Sequence, residues 1–299
     1  MIKTNLAVTK VYKYSRNRII FFLFLFMSQL IFSQYKYQKL DLDKNKLQET
    51  SGIEVFKKDF LTHNDSGNQS ILYRIDSEGN IIENFKFSNL KNFDWEDLAQ
   101  DKKHIYIADI GNNFGDRKNL IIHKLNKNKF KITGNIKISY KNQNNFKTNY
   151  INEFDAEAIT SYGKNLLMFS KNRLRQISEV YLIPKTVTEI SLIPIMELNV
   201  KSLITSADYN KKMKLLVLSA YSMTNIEQYL YFFRNFDVTK ENNLMEVLKL
   251  PNEFNHSQIE SVKIISKNEI ILTSEAENEG NPYLLKMTFD DDYLFNNAD

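Results

Sequence analysis

Five stretches of this chain repeat one order of elements, and few folds accept such a text. Each unit opens on a short apolar strand: ETSGIEVF from Glu49, WEDLAQ from Trp95, DAEAITSY from Asp155, ITSADYN from Ile204 and QIESVKII from Gln258. A charged or Asn/Gly turn follows, then a second apolar strand that ends in a small or polar cluster, as in FLTHNDSGN, HIYIADIGNN, NLLMFSKNR, KLLVLSAYS and EIILTSEAEN. The third element is again strand-like: SILYRID, NLIIHKLN, SEVYLIP, QYLYFFRNF and PYLLKMTF. Taking Gly52, Asp97, Ala158, Ala207 and Ser261 as equivalent gives steps of 45, 61, 49 and 54 residues. Such a period is the size of a four-stranded propeller blade with variable loops, whereas β-helices repeat faster and helical repeats carry a 3.6-residue periodicity absent here. The reading is an all-β fold, a β-propeller of five four-stranded antiparallel blades.

Fourth strands are less regular. IIENFKF (81–87), NIKISYK (135–141), SLIPIMELN (191–199) and MEVLKL (245–250) supply four of them. The fifth unit has no room for one before Asp299, so YKYQKLDLD, from Tyr35, is expected to complete it and close the ring, which removes exposed sheet edges. A sixth blade would have to hide between Leu125 and Asn152, and a β-sandwich would require the five matching units to be coincidental. EDLAQDKK is the one local helix candidate, and its place in the repeat makes it strand plus turn.

Residues 1–33 read as a signal peptide and 34–299 as the propeller domain. The leader carries Lys3, Lys10, Lys13, Arg16 and Arg18, no acid, and then the apolar run IIFFLFLFMSQLIF before Ser33. A retained membrane anchor is the competing reading, and without it no stable membrane insertion is expected. The chain as a whole has 40 Lys+Arg against 36 Asp+Glu; without the five leader cations the balance is 35 to 36. The positive charge therefore belongs to the targeting segment, and no basic stripe argues for a nucleic-acid partner. An exported location follows, whether periplasm, cell surface or medium. With no cysteine, the domain holds together by packing and hydrogen bonds, and thiolate metal sites are excluded.

The repeat makes polar positions comparable. Glu49, Glu96, Asp97, Asp155, Glu157, Asp208 and Glu260 lie at or before the first strands, which line the central channel of a propeller. Carboxylates gathered there raise each other's proton affinity unless a cation compensates. At the ends of the second strands stand His63, Asn64, Asp65, Ser66, Gly67 and Asn68, then Asp109, Gly111, Asn112 and Asn113, Lys171 and Asn172, Tyr221, and finally Glu275, Glu277 and Asn278. Oxygen-rich sets of this kind suit calcium, with Glu96, Asp109 and Glu157 as the expected metal ligands. The same residues also make good tight turns and can tie blades together through backbone amides. Trp95, the single tryptophan, offers a stacking surface or core packing, and His63 beside Asp65 offers a general base. No serine elbow, HExxH, Walker or dinucleotide motif accompanies them.

ETSGIEV, LTHNDSGN, FDWEDLAQDKKHIYIADIGNN and DAEAIT together resemble an exported β-propeller family of Bacteroidetes-type bacteria, over Glu49 to Thr160. Distant similarity reaches the SdiA-regulated and phytase-like esterase propellers. The resemblance implies a functional surface at the channel mouth formed by Asp65, Glu96, Asp97, Asp109, Asp155 and Glu157. Two functions follow as expectations: a module that binds a glycan, peptide or protein at that mouth, and a metal-dependent hydrolase of phosphate or carboxylic esters.

Overall fold

A computed structural model of the protein describes residues 35–224, 226–240, 244–276, 280–290 and 293–294. The leader, residues 1–33, lies outside them. Five sheets are arranged in chain order, and the fold is the five-bladed propeller with four-stranded antiparallel blades. Blade 1 is β2 (Thr50–Phe56), β3 (Asp59–Asn64), β4 (Ile71–Ile75) and β5 (Ile81–Lys86). Blade 2 is β6 (Trp95–Gln100), β7 (His104–Asp109), β8 (Ile121–Asn126) and β9 (Lys131–Tyr140). Blade 3 holds β10 (Ala156–Tyr162), β11 (Asn165–Ser170), β12 (Ser178–Pro184) and β14 (Met196–Leu198). Blade 4 holds β15 (Leu203–Asn210), β16 (Leu215–Tyr221), β17 (Gln228–Arg234) and β18 (Leu244–Lys249). Blade 5 takes β19 (Ile259–Ile264), β20 (Glu269–Ser274) and β21 (Tyr283–Phe289) from the end of the chain and β1 (Tyr35–Asp41) from its start. The ring is thus closed as the sequence predicts. No sixth blade lies between Leu125 and Asn152. The EDLAQ segment is strand β6, and the one helical element among the described residues is a single 3₁₀ turn, Asn252–Phe254.

Each blade is buried on both faces, which is why its inner strands read as unbroken apolar runs. HIYIAD of β7 is buried from Ile105 to Asp109. The core lies in the seams: Leu61 and Leu72 of blade 1 pack with Trp95, Leu98 and Ile107 of blade 2, and Ile136 and Ile138 of blade 2 with Ile159 and Met168 of blade 3.

The 191–199 run divides in two. Pro194 cannot donate to a ladder, so the chain breaks there. The piece before it, β13 (Glu189–Leu192), pairs in parallel with Lys137–Tyr140 and gives blade 2 a fifth strand. Only Met196–Leu198 stays on blade 3.

Every innermost strand carries a bulge at the same level. The unpaired residues are Gly52, Glu96, Glu157, Thr205 and Glu260. The residues that follow them, Ile53, Asp97, Ala158, Ser206 and Ser261, are the true equivalents, so the sequence alignment was one residue off at Gly52 and Ala207. A bulge sets two residues against one on the partner strand, and the ladder loses a bond there. Gly52 takes this position at φ +61°, because a Cβ would stand 2.8 Å from the Leu98 nitrogen and 2.8 Å from His63 Nε2.

Candidate functional site

The bulges organise the channel into two levels. At the first, a belt of hydrogen bonds joins the blades. Asp97 accepts from the backbone of Leu98 (2.8 Å), Ile159 (3.0 Å) and Ala207 (3.4 Å) and from the Ser206 hydroxyl (3.2 Å). Ser206 in turn accepts from Val262 N (3.2 Å), Thr205 donates to the Ile259 carbonyl (2.6 Å), and Ser51 donates to the Glu96 carbonyl. Backbone amides of the innermost strands, each on the open edge of its sheet, find their partners here, and blades 2, 3 and 4 meet on one carboxylate. Asp208 is used similarly: it accepts from Ile264 N (2.9 Å) and from Lys263 Nζ (2.9 Å), whose ammonium also holds Glu54 (2.7 Å).

The second level is the acidic mouth. Asp65, Asp94 and Glu96 each present an oxygen within 4.8 Å of the other two, a buried Asp/Asp/Glu cluster that can coordinate a divalent ion. Asp94 and Glu96 are two apart at the start of β6, and Asp65 arrives from the turn after β3. Glu96 is 3% exposed, and its Oε1 has no hydrogen-bond partner. Gly111 leaves the space this oxygen occupies: a Cβ there would stand 1.9 Å from Glu96 Oε1 and 2.4 Å from Asp94 Oδ2. Burial, then Asp65, Glu157, Asp94 and Asp155, raise the proton affinity of Glu96 well above the ordinary carboxylate value. Asp65 is raised well above its usual value by burial and by Asp94, and Asp94 is pushed up to about 6 by burial despite Arg117 at 3.6 Å.

Around this cluster the charges are partly compensated. Lys171 Nζ lies 2.5 Å from Glu157 and 5.0 Å from the centre of the Tyr221 ring. Arg173 pairs with Asp155 and approaches Glu157 at 3.7 Å. Asp109 accepts from Arg117 (2.6 Å) and from the backbone of Asp94 (3.1 Å) and Phe93 (3.3 Å). Asn112 donates its backbone N–H to Asp155 (2.7 Å) and its amide to the Phe154 carbonyl (2.8 Å), and Asn113 accepts from Arg173 (2.5 Å). Glu260 is buried at the bulge of blade 5, and Glu275, half-buried, accepts from Gln258 (3.0 Å). Burial and the field of Glu260, Asp65, Glu49 and Glu157 raise Glu275 well above its ordinary value. Glu277 and Asn278 lie outside the described residues.

The expected ligand set was Glu96, Asp109 and Glu157. The structure sets Glu96 with Asp65 and Asp94, while Asp109 and Glu157 are engaged by Arg117 and Lys171. Asp94, Arg117 and the role of Gly111 escaped the sequence reading. The spacing of Asp94 and Glu96 in FDWED was the available signal, since alternate residues near a strand start face one way.

Comparison with known proteins adds a coarse likeness. No protein-family model matches the chain, and no curated protein sequence does. Among solved structures it is similar to a PQQ-bound aldose sugar dehydrogenase from Streptomyces coelicolor, at 10% identity and TM-score 0.49, over 85% of this chain and 98% of that one. It is also similar to the hydrazine synthase of Kuenenia stuttgartiensis, at 10% identity and TM-score 0.43, over 82% of this chain and 64% of that one. A third is a Dos1 propeller at 11% identity and TM-score 0.41, over 75% of this chain and 52% of that one. The chain spans less than two thirds of the last two.

His63 and Trp95 sit beneath the mouth. Trp95 is fully buried in the seam of blades 1 and 2, edge-on to His63 at 5.6 Å between ring centres. His63 donates from Nδ1 to the Asn64 carbonyl (3.0 Å) rather than to Asp65, which leaves Nε2 buried, unprotonated and without a partner. Asn64 donates its amide to the Lys46 carbonyl (2.8 Å). Burial lowers the His63 pKa from 6.5 to about 4. The stability gained by keeping this ring neutral is complete above pH 6.5 and is lost as pH falls through about 4, a contribution on the order of 3 kcal/mol. In an NMR titration its ring signals should stay flat from about pH 8 to about pH 5. A midpoint near 6.5 would show the ring to be solvated.

Among the described residues no helix is long and apolar enough to cross a membrane.

Proposed function

We propose that the protein binds a divalent cation, calcium in its resident form, at the channel mouth through Asp65, Asp94 and Glu96, and that with it the protein hydrolyses a phosphate or carboxylic ester. The observation that carries this reading is the buried, unpartnered Glu96 Oε1 facing two further carboxylates. Three acidic oxygens this close together, two of them on buried residues, are costly alone, and a cation is what such a set lacks. An all-oxygen donor set is the chemistry of calcium, magnesium and manganese. A bound cation would polarise the ester oxygen and make water a better nucleophile.

The chain's own groups prepare that site. Arg117 fixes Asp109 and leans on Asp94, and Arg173 with Lys171 fixes Asp155 and Glu157. These cations orient the outer carboxylates and keep the mouth from becoming an unbroken anionic surface. The WEDLAQ and DAEAIT words resemble the exported Bacteroidetes-type propeller family, and its distant similarity to phytase-like esterases with acidic channel mouths supports the same reading. An exported location is part of the proposal and rests on the leader.

The test is calorimetric melting with EDTA and then with calcium, magnesium or manganese, paired with assays on 4-nitrophenyl phosphate and 4-nitrophenyl acetate. A cation-dependent rise in melting temperature together with EDTA-sensitive turnover is expected. A rise without turnover on any ester would instead make the mouth a cation-dependent binding surface for a glycan, peptide or protein. No rise with any of the three metals would overturn the proposal.

A further inference from the structure

A second cavity, of about 280 Å³, lies away from the acidic mouth, where blade 2 meets blade 3. Strand β13 builds one side of it, since Leu192 at the end of that strand is part of the lining. Three aromatic rings form its apolar walls: Tyr140 on β9, Phe154 before β10 and Tyr181 on β12. Tyr140 stands 5.5 Å from Phe154 and 5.5 Å from Tyr181 between ring centres, the latter pair edge to face. Three carboxylates share the lining, Glu153, Glu179 and Glu197, against one cation, Arg175. Both arms of that guanidinium are taken by Glu197, at 2.8 and 2.7 Å, with Glu179 further off at 3.5 Å.

Two groups remain unused. Tyr140 is 5% exposed and its hydroxyl is buried without a hydrogen-bond partner. Glu153 is half-buried and makes no hydrogen bond or ion pair among the described residues. A buried hydroxyl without a partner costs about 1–3 kcal/mol, so the cavity is built for something that supplies one. The field inside is negative: burial, then Glu179, Glu153 and Glu197, push the Tyr181 phenol up.

We propose that this cavity is a binding site for an organic ammonium group, a protonated alkylamine carrying at least one N–H. The rings face the cation, Glu153 balances its charge, and the Tyr140 hydroxyl accepts an N–H from it. Aromatic faces attract ammonium groups through their quadrupoles, and a nearby carboxylate adds to that attraction. The Tyr140 oxygen selects among ammonium ions, because a quaternary nitrogen has nothing to donate to it. A water molecule takes about 30 Å³, so the space admits an alkylammonium head with several waters.

Isothermal titration calorimetry with n-butylammonium, n-butanol and butyltrimethylammonium tests the assignment on the unaltered protein. Saturable binding of butylammonium is expected, with the neutral alcohol and the quaternary ion each roughly tenfold weaker or more. Glu153→Gln should weaken the amine roughly tenfold with little effect on butanol, and Tyr140→Phe should weaken the amine roughly fivefold. Absence of saturable amine binding, or alcohol binding as tight as the amine, would overturn the site. Quaternary binding as tight as the primary amine would overturn the role given to Tyr140 and with it the ligand class.

Discussion

Replacing Asp97 with alanine is expected to destabilise the propeller by about 3–5 kcal/mol, seen as a large fall in the urea midpoint. Its carboxylate serves three backbone amides and one hydroxyl drawn from three blades. Alanine leaves those amides buried beside a void, and water has little access, since Asp97 is 1% exposed. Asparagine should restore only part of the loss, because it turns one acceptor into a donor facing donors. A loss under about 1 kcal/mol for alanine would mean that the belt relaxes at little cost and that the blades are held by their apolar seams alone.

Gly111→Ala is expected to abolish cation binding at the mouth while leaving the ring intact. The added methyl would occupy the place of Glu96 Oε1, so the side chain must leave and the three-oxygen set is broken. A cation present at about a hundred times its dissociation constant adds about 2.7 kcal/mol to the native state, and the variant should lose all of it. The affinity of the unaltered site should fall with acid, since binding must displace a proton from Asp94 below about pH 6, and burial with the neighbouring carboxylates raises the proton affinity of Glu96 as well. Titration calorimetry of both proteins at neutral pH and at about pH 5.5 reads each effect. Retained affinity in the alanine variant would place the cation elsewhere.

The fold was legible because propeller blades are buried on both faces and repeat. Apolar runs such as IYIAD and LLVLS could hardly be anything else, and the missing last strand pointed to Tyr35 as its source. What stayed hidden was local. A bulge adds one residue without any compositional mark, so text alone set Gly52 and Ala207 one residue away from the true equivalents, Ile53 and Ser206. The departure of Glu189–Leu192 to a neighbouring blade depends on which edge is free, a property of the assembled sheet. Asp97 and Asp208 looked like members of one acidic set with Glu96, yet backbone geometry makes them fasteners and leaves Glu96 Oε1 without a partner. Asp94 was visible in FDWED and matches Asp155 of FDAEA, so the repeat itself carried the signal, but the reading of that unit began at Trp95 and passed it over.

The outer strand Tyr35–Asp41 shares its blade with Tyr283–Phe289, the last strand among the described residues. Until that final strand is made, Tyr35–Asp41 has no strand to pair with. The order of synthesis and the order of assembly are therefore uncoupled: four blades can gather early, but the circle is completed last, by a pairing across nearly the whole length. Joining ends so far apart is slow, although its entropic cost grows only with the logarithm of the distance. A shortened chain that stopped before Tyr283 would carry two bare sheet margins, open to each other's copies.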